Sequence, residues 1–194
     1  MPLSPPIDRA RTAVLVMDYQ SGIVAGFGGS DQAGLLQRAQ AVLAAARASQ
    51  VQVVYVVVGF RPGHPEISSR NVAFSTAKRA GRFVAGDPEA EIHPAVPPQS
   101  GEIVVTKRRV SAFSGSDLEL VLRARGIETL VLMGIATSGV VLSTLRQAAD
   151  SDYGLIVLSD CCADRDPEVH RCLMEKVFPR QATVVTGDEF RRGL

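Results

Sequence analysis

Six short apolar runs, rich in β-branched residues, set the frame of this chain. They are AVLVMD (13–18), VVYVVVG (53–59), EIVVTK (102–107), TLVLMG (129–134), LIVLSD (155–160) and ATVVT (182–186). Each is continuous rather than alternating, the pattern of strands covered on both faces. Helical patterns lie between them. Residues 32–48 place Leu35, Leu36, Ala39, Val42, Leu43 and Ala46 on one stripe. Ser116 and Glu119 stand at capping-box spacing at the head of a helix over 116–125, and Gly126 follows as its stop. Further helices are expected from about 139 to 150 and from Pro167 onward, the latter with Asp166 as N-cap. Strands alternating with helices predict a three-layer α/β/α fold around a six-stranded parallel sheet, as one domain over 1–194. Residues 60–100 interrupt the pattern with RPGHPEISSRN, AGDPEAEIHP and VPPQSG. So long a loop in an α/β domain commonly serves as a lid or an oligomer contact.

Charge narrows the partners. With 21 basic and 20 acidic residues the formal net charge is +1, which gives no electrostatic ground for nucleic acid or an anionic membrane as partner. The start, MPLSPPIDRAR, has no apolar stretch of the signal-peptide kind. The most apolar run, VQVVYVVVGF (51–60), is shorter than the roughly 20 residues that span a bilayer. A cytoplasmic protein is expected. Cys161, Cys162 and Cys172 are an odd count without metal-ligand spacing, read as reduced, buried small hydrophobes. DYQSGIVAGFGG stands after the first strand in place of GxGxxG, so a dinucleotide cofactor is not expected.

Ligands of open α/β sheets bind beyond the carboxyl ends of the strands, so the residues there carry the information. The first run ends in Asp18, the third in Lys107, the fourth in GIATSGVV and the fifth in Asp160. An aspartate and a lysine closing two apolar strands either pair or are costly. Taken singly, Asp18 also reads as a turn former and Lys107 as a solvated strand end.

Three segments give a sharper reading: VLVMDYQSGIV, VTKRRVSAFSGSDLELVLRARGIETLVLMGIATSGVVLSTLRQAAD and LIVLSDCCADRDPEVH. Together they resemble the isochorismatase-like superfamily of cysteine hydrolases, over residues 11 to 188. The resemblance implies a Rossmann-like fold and a homo-oligomer, dimer or tetramer. It also implies a triad of an aspartate ending strand 1, a lysine ending the third strand and a cysteine opening the helix after the fourth. Asp18 and Lys107 match the first two. The cysteine follows the threonine of the G-hydrophobic-x-T turn by three positions; from Thr137 that position is Val140.

Valine has no group that can attack a carbonyl, whereas covalent amide hydrolysis needs a thiolate at the helix N-terminus. Ser138 should point away from the site, Ser143 lies a turn further on with no base beside it, and Cys161 follows a different strand. None meets the geometric requirement of a nucleophile. The rest of the constellation carries over as what the resemblance implies. A non-proline cis peptide falls between Ile135 and Ala136, and the amides of Ala136 and Val140 form an oxyanion hole. Thr137 belongs to the pocket, and Phe113 reads equally as pocket wall or core aromatic. His64, His93 and His170 form no ligand pattern, and GFRPGHPE after the second strand lacks the Asp-x-His run of metal-binding relatives; no metal is expected.

Two functions follow. One is a hydrolase of a small amide or vinyl ether, with Asp18 as acid/base and Lys107 as its partner. The other is a catalytically silent relative that binds a small carbonyl compound or carboxylate, or serves as a scaffold. Bringing Asp18, Lys107 and residue 140 together suggests the strand order 2-1-3-4-5-6. The alternative order 3-2-1-4-5-6 separates the first and third strands by nearly two spacings, about 9 to 10 Å.

Overall fold

The computed structural model describes residues 7–27 and 31–194. Its strands are β1 (Thr12–Met17), β2 (Gln52–Val58), β3 (Ile103–Lys107), β4 (Thr129–Ile135), β5 (Gly154–Ala163) and β6 (Thr183–Val185). The helices are α1 (Ser21–Phe27), α2 (Gln32–Ala48), α3 (Val72–Ala80), α4 (Leu118–Ala124), α5 (Leu142–Ala149), α6 (Pro167–Cys172) and α7 (Gly187–Gly193). All six strands pair in parallel within one sheet. Both sheet faces are covered, which is why the strand runs are continuously apolar. Ala13, Leu15 and Met17 pack with Leu118 and Leu122 of α4 and Leu145 of α5. Val14 and Val16 point the other way, to Leu36, Ala39 and Leu43 of α2 and Phe190 of α7.

The strand order is β3-β2-β1-β4-β5-β6, which overturns the expected 2-1-3-4-5-6. The expectation failed because it required neighbouring strands to bring the aspartate and the lysine together. Backbone and side chain close the gap instead. Asp18 adopts a left-handed φ of 57°, and its N–H donates to the Val56 carbonyl at 2.8 Å, so the chain leaving β1 leans across the end of β2. Lys107 pairs in register with Val58, and its flexible four-carbon stem covers the rest.

Helix α2 buries the six residues of the stripe read from its sequence, and Asp166 caps α6 by accepting from the N–H groups of Glu168 and Val169. Other expectations need correction. Helix α4 starts at Leu118 without a capping box: Asp117 holds the N-cap position, and the Ser116 hydroxyl donates to the Ala112 carbonyl at 2.6 Å and accepts from Leu118 N–H at 3.3 Å. The helix expected over 139–150 opens as a π-helical turn, Thr137–Val141, before α5. Strand β5 does not end at Asp160. Its register against β4 shifts between Leu132 and Gly134, and it runs on to Ala163. Cys161 and Cys162 therefore lie within a strand, buried as expected, whereas Cys172 is exposed. The stretch 60–100, read as irregular, contains α3, capped by the Asn71 side chain and closed by Gly81 at a left-handed φ of 65°.

Candidate active site

The carboxyl ends of β1, β2, β3 and β4 meet where the strand order reverses, and a cavity of about 460 Å³ opens there. Asp18 and Lys107 form its deep end, 5% and 2% exposed, with Lys107 Nζ 2.9 Å from Asp18 Oδ2. The ammonium also donates to the Arg109 carbonyl at 3.1 Å. Asp18 Oδ1 is buried and has no hydrogen-bond partner. Burial pushes the Asp18 carboxyl above its ordinary range, and the Lys107 charge acts against that rise. Such a pair is poor material for stability alone, since desolvation consumes most of the Coulombic gain.

Gln20, which sequence reasoning passed over, fixes the turn that carries Asp18. Its amide is fully buried; Nε2 donates to the carbonyls of Val58 (2.9 Å) and Ala90 (2.7 Å), and Oε1 accepts from Val58 N–H at 2.8 Å. Three backbone groups at the end of β2 and in the 60–100 segment are thereby satisfied by one side chain. The DYQ run carried the signal, a polar side chain three residues past a buried strand.

Beyond β4 the Ile135–Ala136 peptide is cis, and the Ala136 carbonyl accepts from both Gly139 and Val141 N–H groups. Ile135, Ala136, Gly139 and Val140 line the cavity, with Val140 only 2% exposed. Val140 thus faces the same space as the ion pair, and presents hydrocarbon to it. Ser138 is exposed and its N–H donates to Asp164 Oδ2 at 2.7 Å; neither it nor Ser143 borders the cavity. Thr137 does not border it either. It is fully buried, with its hydroxyl 2.8 Å from His170 Nδ1 on α6, and burial holds that imidazole below its usual range. Phe113 is a core aromatic, packed against Tyr153 with ring centroids 6.1 Å apart. Val110 lines the cavity on that side instead.

The remaining walls include Phe27 of α1, Phe74 of α3, Arg82 and Phe83, from segments without a legible motif, and Arg165, from the third quoted segment. His64 is buried behind them, its Nε2 2.8 Å from the Arg82 carbonyl. Among the described residues no three His, Cys, Asp or Glu side chains are grouped as a metal site. Likewise no described helix is long and apolar enough to cross a membrane.

The chain as a whole is similar to known proteins. The family model "Isochorismatase domain" matches residues 12–189. The isochorismatase family protein YwoC of Bacillus subtilis is 34% identical over 185 residues, covering 95% of this chain and 94% of that protein. The ureidoacrylate amidohydrolase RutB of Agrobacterium fabrum is 34% identical over 201 residues, covering 93% of this chain and 84% of that enzyme. Among solved structures, a cysteine hydrolase from Pseudomonas syringae pv. phaseolicola superposes with a TM-score of 0.87 at 28% identity, covering 100% of this chain and 96% of that one. The chain belongs to the isochorismatase family of hydrolases.

Proposed function

We propose that this protein hydrolyses a small amide or vinyl ether with water as the direct nucleophile, and with Asp18 as the group that moves the proton. The observation that carries the proposal is Asp18 itself, with Oδ2 held by Lys107 and Oδ1 buried without a partner in a cavity wide enough for a small molecule. No protein group is at hydrogen-bonding geometry to that second oxygen, so it is open to water or to a substrate atom in the cavity. On an amide, the Asp18 carboxylate takes a proton from water as the water oxygen bonds to the carbonyl carbon. The oxyanion so formed faces the amides of Ala136 and Val140, and when the C–N bond breaks Asp18 returns the proton to the leaving nitrogen. On a vinyl ether, the protonated carboxyl delivers its proton to the terminal carbon. Water adds to the resulting cation and gives a proton back to Asp18, and the hemiketal opens to a carbonyl compound and an alcohol. Burial favours the protonated carboxyl, which brings both forms closer to working pH.

Turnover by this route involves no protein thiol. Exhaustive alkylation with iodoacetamide, which reaches the exposed Cys172, should leave hydrolysis of the best member of an amide and vinyl-ether panel unchanged. Ureidoacrylate belongs on that panel, since the Agrobacterium relative is named for it. Loss of turnover in step with thiol modification would falsify direct attack by water. A second reading, a binder without turnover, is favoured by the hydrocarbon of Val140 on the cavity wall. Its signature is saturable binding of panel members with no product formed.

We further propose a homo-oligomer, a dimer or tetramer. Val104 on edge strand β3 is 45% exposed and Leu120 on α4 is 73% exposed, apolar surface that a second copy would cover. Sedimentation should give a multiple of 20.7 kDa; a monomer at every concentration sinks this assignment.

A further inference from the structure

The turn that bears Val140 is held from outside the cavity, by the segment that follows β5. Within that turn, Thr137–Val141, Val140 lines the cavity, whereas the Thr137 side chain meets α6. Two side chains grip its first two residues. Asp164 accepts from the Ser138 N–H at 2.7 Å, and His170 places its Nδ1 2.8 Å from the Thr137 hydroxyl. Asp166 caps α6 and so fixes where that imidazole stands.

The direction of the Thr137–His170 bond follows from counting protons. The hydroxyl is fully buried, and among the described residues it has no other hydrogen-bond partner. It has one proton of its own to place. Were Nδ1 the donor, that proton would be left in a dry interior without an acceptor. The hydroxyl therefore donates to Nδ1, and the neutral ring carries its hydrogen on Nε2. Protonation of the ring adds a hydrogen to Nδ1 and turns the acceptor into a donor. The bond must then reverse, and the Thr137 proton is stranded.

The charges around the imidazole are few. The Thr137–Val141 turn has none. The end of β5 leads to Asp164 and to Arg165, whose Cζ lies 4.6 Å from the centroid of the Phe27 ring. On α6 stand Glu168 and Arg171, and on the next turn, Leu173–Val177, Lys176 and Glu175, the latter paired with Arg171. Burial lowers the His170 value from its ordinary one, and the Asp164 charge opposes that fall. Its share of stability is therefore complete above the ordinary value of about 6.5 and is lost as pH falls toward the folded-state value.

We infer that His170 is a positioning residue for the cavity wall: neutral, it anchors the Thr137–Val141 turn through the Thr137 hydroxyl, and protonated, it lets that turn and Val140 loosen. The wall opposite Asp18 is then firm at neutral pH and slack in mild acid. The functional meaning rests on this cavity being the substrate site proposed above. The readouts need no turnover.

The test is NMR of the free protein from about pH 8 to about pH 5, across the imidazole range. Long-range proton–nitrogen spectra should show neutral His170 as the Nε2–H form. Amide exchange at Gly139 and Val141, whose N–H groups donate to the Ala136 carbonyl, reads the turn. Their protection should fall about 5- to 100-fold as His170 takes its proton, the effect of one stranded buried donor. His170→Asn offers an amide oxygen near the place of Nδ1 and cannot titrate, so protection should persist through the range. In Thr137→Val the ring still titrates, but protection should no longer follow it. A neutral ring with its hydrogen on Nδ1 overturns the assignment. So does wild-type protection that ignores the His170 titration, or an undiminished acid step in either variant. Amides and vinyl ethers left intact by protein whose turn titrates as described sink the hydrolytic reading and uphold His170. Hydrolysis by protein whose turn does not titrate does the reverse.

Discussion

Asp18→Asn is expected to abolish turnover and to destabilise the fold together. Asparagine cannot carry the proton, and loss of a positioned acid/base costs about 10²–10⁴ in rate. The stability effect comes from the partner. Lys107 is 2% exposed, and without Asp18 its ammonium stays buried beside the Arg109 carbonyl alone. Breaking a buried pair from one side costs about 3–5 kcal/mol, which urea unfolding would report as a large fall in midpoint. The double variant Asp18→Asn/Lys107→Met separates the two losses. It removes both charges, so most of the stability should return, whereas turnover should not. A single variant as stable as wild type would show that the pair is not energetically joined. Turnover in the double variant would remove Asp18 from the chemistry.

Val140→Cys should create a reactive thiol. The position lies in the first helical turn after β4, on the cavity wall, where the helix dipole favours a thiolate. Cys172 is exposed and would dominate any labelling, so the experiment belongs in a Cys172→Ser background. The remaining thiols are quiet, since burial pushes Cys162 up to about 12 and Cys161 higher still. Lowering the introduced thiol from about 8.5 to about 7 would raise its thiolate fraction at neutral pH, and its alkylation rate, by roughly 10-fold or more. The loss of stability should stay below about 1.5 kcal/mol for so small a change in volume. Alkylation at the rate of an ordinary exposed cysteine would mean that residue 140 does not occupy a nucleophile position.

The elements that sequence made legible are those whose pattern has a single physical cause. Strands buried on both faces must be continuously apolar, and all six runs became strands, although the edge strands β3 and β6 keep exposed positions at Val104, Thr106 and Thr183; α2 carried its stripe and α6 its N-cap. Asp18 and Lys107 stood out because a charge closing an apolar strand needs an explanation. What escaped notice depends on chain bending or on contacts remote in sequence. The order of the strands was hidden because the left-handed turn at Asp18 leaves no pattern of its own. The placement of Thr137 and Phe113 turned on neighbours at His170 and Tyr153, which periodicity does not reveal. Helix α3 has no buried residue, so it offered no apolar stripe to read. Arg165 looked like one charge among several in DRDPE until the bulge in β5 set it against Phe27.

The contacts that hold Asp18 and Lys107 have one property in common: every one lies within residues 18–109. Asp18 is tied to Val56 and Lys107, Lys107 to Arg109, and Gln20 to Val58 and Ala90. The turn that bears Val140 belongs to the other half of the sheet and supplies none of these bonds. The site is therefore modular. One half of the chain builds and supports the Asp18–Lys107 pair, and the other contributes the wall that Val140 lines. A substitution on that wall therefore leaves every bond that holds the charged pair in place.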